Sequence, residues 1–206
     1  SISEKWIKYF DGLFGQNKDL RICVLCDGDA DGVGAARTME AFIKQYAGHR
    51  KFSHKIIVEF NQQGPTSNIQ LKIEKIKGLR NKREYDSIIG VDLFWLRLAG
   101  LSNEDLQHPV IDISVDHHTL TAEEKFIEAH LVEQLKRLRR DLGEYNASFV
   151  TLEGVGYTGE PKFMPACLLT RKIADYVLRK TGIKNGLAEP EGWGITLSDH
   201  IDRSIG

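Results

Sequence analysis

The chain has 206 residues, of which 41% are hydrophobic and 28% charged, with a formal net charge of −1. That apolar content is enough for a sizeable core and excludes a mainly disordered chain. No stretch of about 18 residues lacks charge, which excludes a membrane span, and near-neutrality excludes a uniformly basic nucleic-acid coat but not a local basic patch.

Trp6, Ile7, Phe10, Leu13 and Phe14 recur at helical spacing and predict an amphipathic helix over residues 3–14. Residues 21–25 form a short apolar run between Lys18-Asp19 and Asp27-Gly28, the pattern of a buried strand. A helix follows over 32–46, with an apolar stripe through Ala35, Met39, Phe42 and Ile43, then a strand over 55–60. The turn Gly64-Pro65-Thr66-Ser67-Asn68 opens a helix over 69–79. Strands are predicted over 86–91 and 109–115, a long charged helix over 121–140, a further strand over 147–152, a Gly/Pro-rich loop over 154–165, and helices over 165–180 and 191–205. Strands alternating with helices imply an α/β fold, a largely parallel sheet with helices on both faces. In such sheets ligands sit beyond the carboxyl ends of the strands.

Three of these strands run into acidic residues. The first leads to Asp27-Gly28-Asp29-Ala30-Asp31-Gly32, the third to Asp92, and the fourth to Asp116-His117-His118. Parallel strands gather these groups on one edge, where five carboxylates repel one another without cations. Oxygen ligands favour hard divalent cations, and added imidazole shifts the choice toward Mn²⁺. Two such metals suit phosphate-ester hydrolysis. The same string read as an EF-hand calcium loop needs a Glu at position twelve and flanking helices. Position twelve is Thr38 and a strand precedes the loop, so that reading fails. Each acid taken singly also suits a capping turn; together they favour a site. Cys23 and Cys26 have zinc-like spacing but no second pair. The odd count of three cysteines and the lack of a secretory signal point to reduced thiols and a cytoplasmic protein.

The Asp27–Val33 string, Asp92 and Val115-Asp116-His117-His118 resemble the first three motifs of the DHH phosphoesterase superfamily, and Gly194–Asp199 resembles the fourth. The third Asp of the string, Asp31, resembles the RecJ-like exonuclease branch; phosphatase-like members carry a His where this chain has Cys23. The chain departs from that branch at Leu25, where a His is common. The resemblance implies that Asp27, Asp29, Asp31, Asp92, His117 and Asp199 hold two Mn²⁺ ions (Mg²⁺ as the substitute), with Asp92 bridging. It implies that His118 contacts the scissile phosphate or protonates the leaving group, and that Asp116 orients an imidazole. It also implies a single DHH catalytic domain over 1–206. Seven residues follow Asp199, so the closing domain usual in relatives is not expected within these 206 residues, which are either a stand-alone catalytic domain or an excised one.

The implied substrate is single-stranded DNA or a short oligonucleotide. The alternatives are a dinucleotide or cyclic dinucleotide, or a non-catalytic replication or repair scaffold with a protein partner. Lys136, Arg137, Arg139 and Arg140 form one basic cluster, and Lys72, Lys75, Lys77, Arg80, Lys82 and Arg83 another, both suited to a phosphate backbone or simply to a solvated helix face.

Overall fold

The apolar runs of the sequence become the strands of one parallel sheet. In the computed structural model the described residues are 2–64, 74–75, 78–79, 84–93, 111–118, 148–150 and 164–187. Helix α1 (Ile2–Phe14) leads into β1 (Leu20–Asp27), α2 (Ala30–His49) and β2 (Ile56–Gln63). Then come β3 (Ser87–Val91), β4 (Ile113–Val115), β5 (Ser148–Val150) and α3 (Ala166–Lys180). The strand order is β2-β1-β3-β4-β5 and every neighbouring pair is parallel. The chain steps from β1 to one side and then returns to the other, so the order reverses between β1 and β3. In open parallel sheets the carboxyl ends beside such a reversal are where ligands bind.

The alternation along β1 divides its side chains. Leu20, Ile22, Val24 and Cys26 join the core that α1, α2 and α3 close. Trp6, Phe10, Phe14, Phe42 and Tyr46 fill it with edge-on and tilted ring pairs, centroids 5.1–6.1 Å apart. Cys23, Leu25 and Ile88, which register on the opposite face, are fully buried as well. Gly90 lies beneath Ile111, whose Cδ1 would be 3.1 Å from any Cβ there.

The amino ends of three strands are fastened by aspartates. Asp19 accepts the Lys55 N–H at 3.0 Å while Leu20 N donates to Lys55 O. Asp86 accepts the Arg21 N–H at 2.8 Å while its own N–H donates to Arg21 O. Asp112 accepts the Ile88 N–H at 2.9 Å while its N–H donates to Ile88 O. Each carboxylate thus extends the ladder one step beyond the last backbone pair.

Two boundaries differ from the sequence expectation for physical reasons. Helix α2 begins at Ala30, inside the acidic string, because Asp29 caps it. Strand β4 begins at Ile113 because the Asp112 side chain, not its peptide, takes the Ile88 N–H. The predicted helices over 121–140 and 191–205 and most of the loop over 154–165 lie outside the described residues; of the helix over 69–79, residues 74–75 and 78–79 are described, as helix. Among the described residues no helix is long and apolar enough to cross a membrane.

Candidate metal centre at the carboxyl edge of the sheet

The register decides which acids meet. Cys26 pairs with Val91 and Val91 with Val115, so Asp27, Asp92 and Asp116 are the next residues on three adjacent strands. The backbone at Asp92 turns into the left-handed region, φ 54°. Among non-glycine residues Asp and Asn tolerate that best, and such strain clusters at functional sites.

Asp92 is buried, at 3% exposure, and its Oδ1 lacks a hydrogen-bond partner. His117 Nε2 lies 3.2 Å from that oxygen, within ion-pair distance but without the alignment of a hydrogen bond. The same nitrogen is 3.6 Å from Asp31 Oδ2. On the far side of the ring, His117 Nδ1 lies 3.1 Å from the Met164 carbonyl oxygen. A carbonyl only accepts, so Nδ1 carries a proton and, in the neutral ring, Nε2 presents its lone pair to the two carboxylates. Histidines held this way by a backbone carbonyl are common metal ligands. One ligand atom each from Asp92, His117 and His118 fall within 4.8 Å of one another.

His118 is directed differently. Its Nδ1 lies 2.6 Å from Asp116 Oδ1, and its side chain is 43% exposed. The two imidazoles sit with ring centroids 4.6 Å apart.

Asp31 is fixed by α3. Its Oδ2 accepts the Ala166 N–H at 2.7 Å and its Oδ1 the Cys167 N–H at 2.8 Å, a carboxylate seated on a helix N-terminus. Asp29 Oδ1 accepts the Gly32 N–H at 2.8 Å as the cap of α2, and Asp27 Oδ1 accepts the Gly28 N–H at 2.8 Å. Gly32 is required here: a Cβ would lie 2.5 Å from Asp27 O and 2.9 Å from Asp27 N.

The electrostatics follow from this crowding. Burial, with the charge of Asp31, pushes the Asp92 carboxyl above its usual range against the pull of both imidazoles. Contact with Asp92 pushes His117 up to about 9, with burial acting against it, and the Asp116 hydrogen bond raises His118. Burial also raises Asp31, but the two amides, the Cys167 thiol and His117 outweigh it and hold the carboxyl low. Burial pushes Cys26 up to about 11, and the charges of Asp27, Asp92 and Asp29 add to it, as expected if all three acids border one edge. Cys23, Cys26 and Cys167 are free thiols.

The structure therefore brings Asp31, Asp92, Asp116, His117 and His118 into one cluster, with Asp27 and Asp29 on the turn beside it. Asp199, Lys136, Arg137, Arg139 and Arg140 lie outside the described residues. Sequence reasoning missed the Met164 carbonyl and the α3 amides. The predicted helix start at 165 was the available signal for the amides; the carbonyl has none, since every residue has one. No protein-family model matches the chain, and no curated protein does.

Proposed function

We propose that this edge is the centre of a Mn²⁺-dependent phosphodiesterase of the DHH, RecJ-like kind, acting on single-stranded DNA or short oligonucleotides. One observation carries the reading: a buried carboxylate oxygen of Asp92 and a second carboxylate, Asp31, both face one imidazole nitrogen, at 3.2 and 3.6 Å, while the ring's other nitrogen is committed to a carbonyl. Two carboxylates crowded on one imidazole repel each other, and a cation among Asp92, His117 and Asp31 would offset that repulsion. The donor set of carboxylate oxygens and imidazole suits Mn²⁺. Asp31, Asp92 and His117 would hold one ion, with Asp27 and Asp29 placed for a second.

Bound there, the ions would supply positive charge to a phosphate ester and lower the pKa of a water molecule. The chain's own residues do the rest. Asp116 accepts from His118 Nδ1, orients that ring and favours its protonated form, so His118 Nε2 is the group that meets substrate. The attacking water would lose a proton to solvent as its oxygen bonds to phosphorus, and as the P–O bond to the leaving oxygen breaks His118 Nε2 would give that oxygen a proton and take one back from solvent. Met164 and the α3 amides keep His117 and Asp31 from turning away.

The test is a cleavage assay with 5′- and 3′-labelled single-stranded DNA, a duplex, a dinucleotide and a cyclic dinucleotide, with Mn²⁺ or with chelator. Chelator-sensitive laddering of the single strand is expected and reports polarity. Turnover of dinucleotides alone moves the substrate to the small-molecule class. Mn²⁺ binding without any turnover overturns the enzyme reading in favour of a scaffold.

A further inference from the structure

We propose that the outward face of α3 is a track along which a single-stranded nucleic acid approaches this centre. The proposal rests on the phosphodiesterase reading only for what lies at the end of the track. Ile173, Ala174, Val177 and Leu178 bury the inner face of α3. Lys172, Tyr176, Arg179 and Lys180 stand at i, i+4, i+7 and i+8, one stripe on the other side. Tyr176 is 54% exposed and is the only exposed large hydrophobic side chain among the described residues. Lys180 Nζ lies 5.5 Å from the centroid of its ring. Lys184, also exposed, continues the positive charge past the helix end.

Among the described residues, the one acid within α3 is turned inward: Asp175 accepts the Leu187 N–H and lies 3.7 Å from Arg171 Nε. The stripe therefore places Lys172, Arg179 and Lys180 on the helix side that carries a solvent-facing aromatic ring, with Lys180 against that ring and Lys184 beyond the helix end. That combination matches a strand of phosphates with bases able to stack; a duplex hides its base faces, and an acidic peptide has no use for the ring.

The location supports the same occupant. The first turn of α3 is a wall of the centre, through the amides on Asp31 and the neighbouring Met164 carbonyl on His117. At 1.5 Å per residue, Lys172 stands about 9 Å and Lys180 about 21 Å along the helix from Ala166. A strand with one phosphate at the centre thus has cations and a stacking ring within reach along the same element.

The experiment measures binding of a fluorescein-labelled oligothymidylate by anisotropy, in chelator so that nothing is cut, on the full chain. Tyr176→Ala is expected to weaken binding about tenfold, with Tyr176→Phe restoring it. The Lys172→Glu/Lys180→Glu double variant is expected to weaken binding further and to flatten its salt dependence. Circular dichroism confirms that each variant folds. Absence of binding by the unaltered chain, equal competition by a duplex, or indifference to Tyr176→Ala overturns the track. Chelator-sensitive turnover of single-stranded DNA or a dinucleotide by the unaltered chain in Mn²⁺ is the separate readout of the phosphodiesterase reading. Absence of both, with oligothymidylate binding and the Tyr176 effect intact, sinks that reading and leaves the track standing.

Discussion

At the amino end of the sheet, Asp19, Asp86 and Asp112 each accept a backbone N–H from the neighbouring strand. At the carboxyl end, Asp92 is more deeply buried than any of them, yet its Oδ1 accepts nothing. The residue type is the same and the strands are the same, so neither composition nor fold explains the contrast. What differs is the supply of donors. A parallel ladder leaves N–H groups open where a strand begins, and a preceding aspartate fills the gap. Where the strands end the loose groups are carbonyls, which cannot satisfy a carboxylate. Acids placed there must find side-chain donors, helix amides or a cation. Asp31 found amides and Asp116 found His118, while Asp92 faces a histidine already anchored elsewhere.

The largest effect expected from this contrast is on Asp92. Asp92→Asn keeps the shape and tolerates the left-handed backbone, but removes the charge a cation needs. Turnover should fall by about a thousandfold, the loss of several kcal/mol of charge stabilisation. In chelator its melting temperature should change little, because the burial cost of the carboxylate and its attraction to His117 are removed together. Near-normal turnover, or a falling melting temperature in chelator, would make Asp92 a structural residue like its amino-end counterparts.

How much of this was legible beforehand depends on the range of the interaction. Apolar runs revealed the strands, and Asp27, Asp29, Asp31, Asp92, Asp116, His117 and His118 stood out because parallel topology sends strand ends to one edge. The staples did not stand out. Asp112 reads as part of a strand over 109–115, and nothing local tells that its carboxylate reaches a backbone N–H 24 positions earlier in the chain. The Met164 carbonyl and the Tyr176 stripe were hidden for related reasons: the first is backbone, and the second needs the inner face of α3 to be known. The α/β parallel sheet could therefore be read from pattern, whereas which acid meets which donor required the register.

Asp112 gives the next effect in size. Asp112→Ala leaves the buried Ile88 N–H without its acceptor, and the chain should lose about 1–3 kcal/mol of stability by urea denaturation. Asp112→Asn keeps an oxygen acceptor and should lose less. Turnover per folded molecule should match the unaltered chain in both. A selective loss of turnover would show that the amino-end staples also tune the centre, and would blur the contrast between the two ends.

The smallest effect sharpens the contrast by pH. Asp86 is partly buried, which raises its carboxyl, but Lys18 and the Arg21 N–H outweigh burial and hold it below the usual 3.8. A carboxyl lowered on folding stabilises the protein above its unfolded value and loses that contribution as pH falls through the lowered folded value. The Asp86 staple should therefore be fully effective at pH 5 and fade below about pH 4. Its size is bounded at about 1 kcal/mol, because Lys18 is half exposed and screened by solvent. Urea midpoints for Asp86→Asn and the unaltered chain should differ at pH 5 and converge toward pH 2.5. A gap that persists in acid would assign the stability to the amide oxygen's geometry rather than to charge, and the amino-end aspartates would then be hydrogen-bond acceptors whose ionisation is incidental.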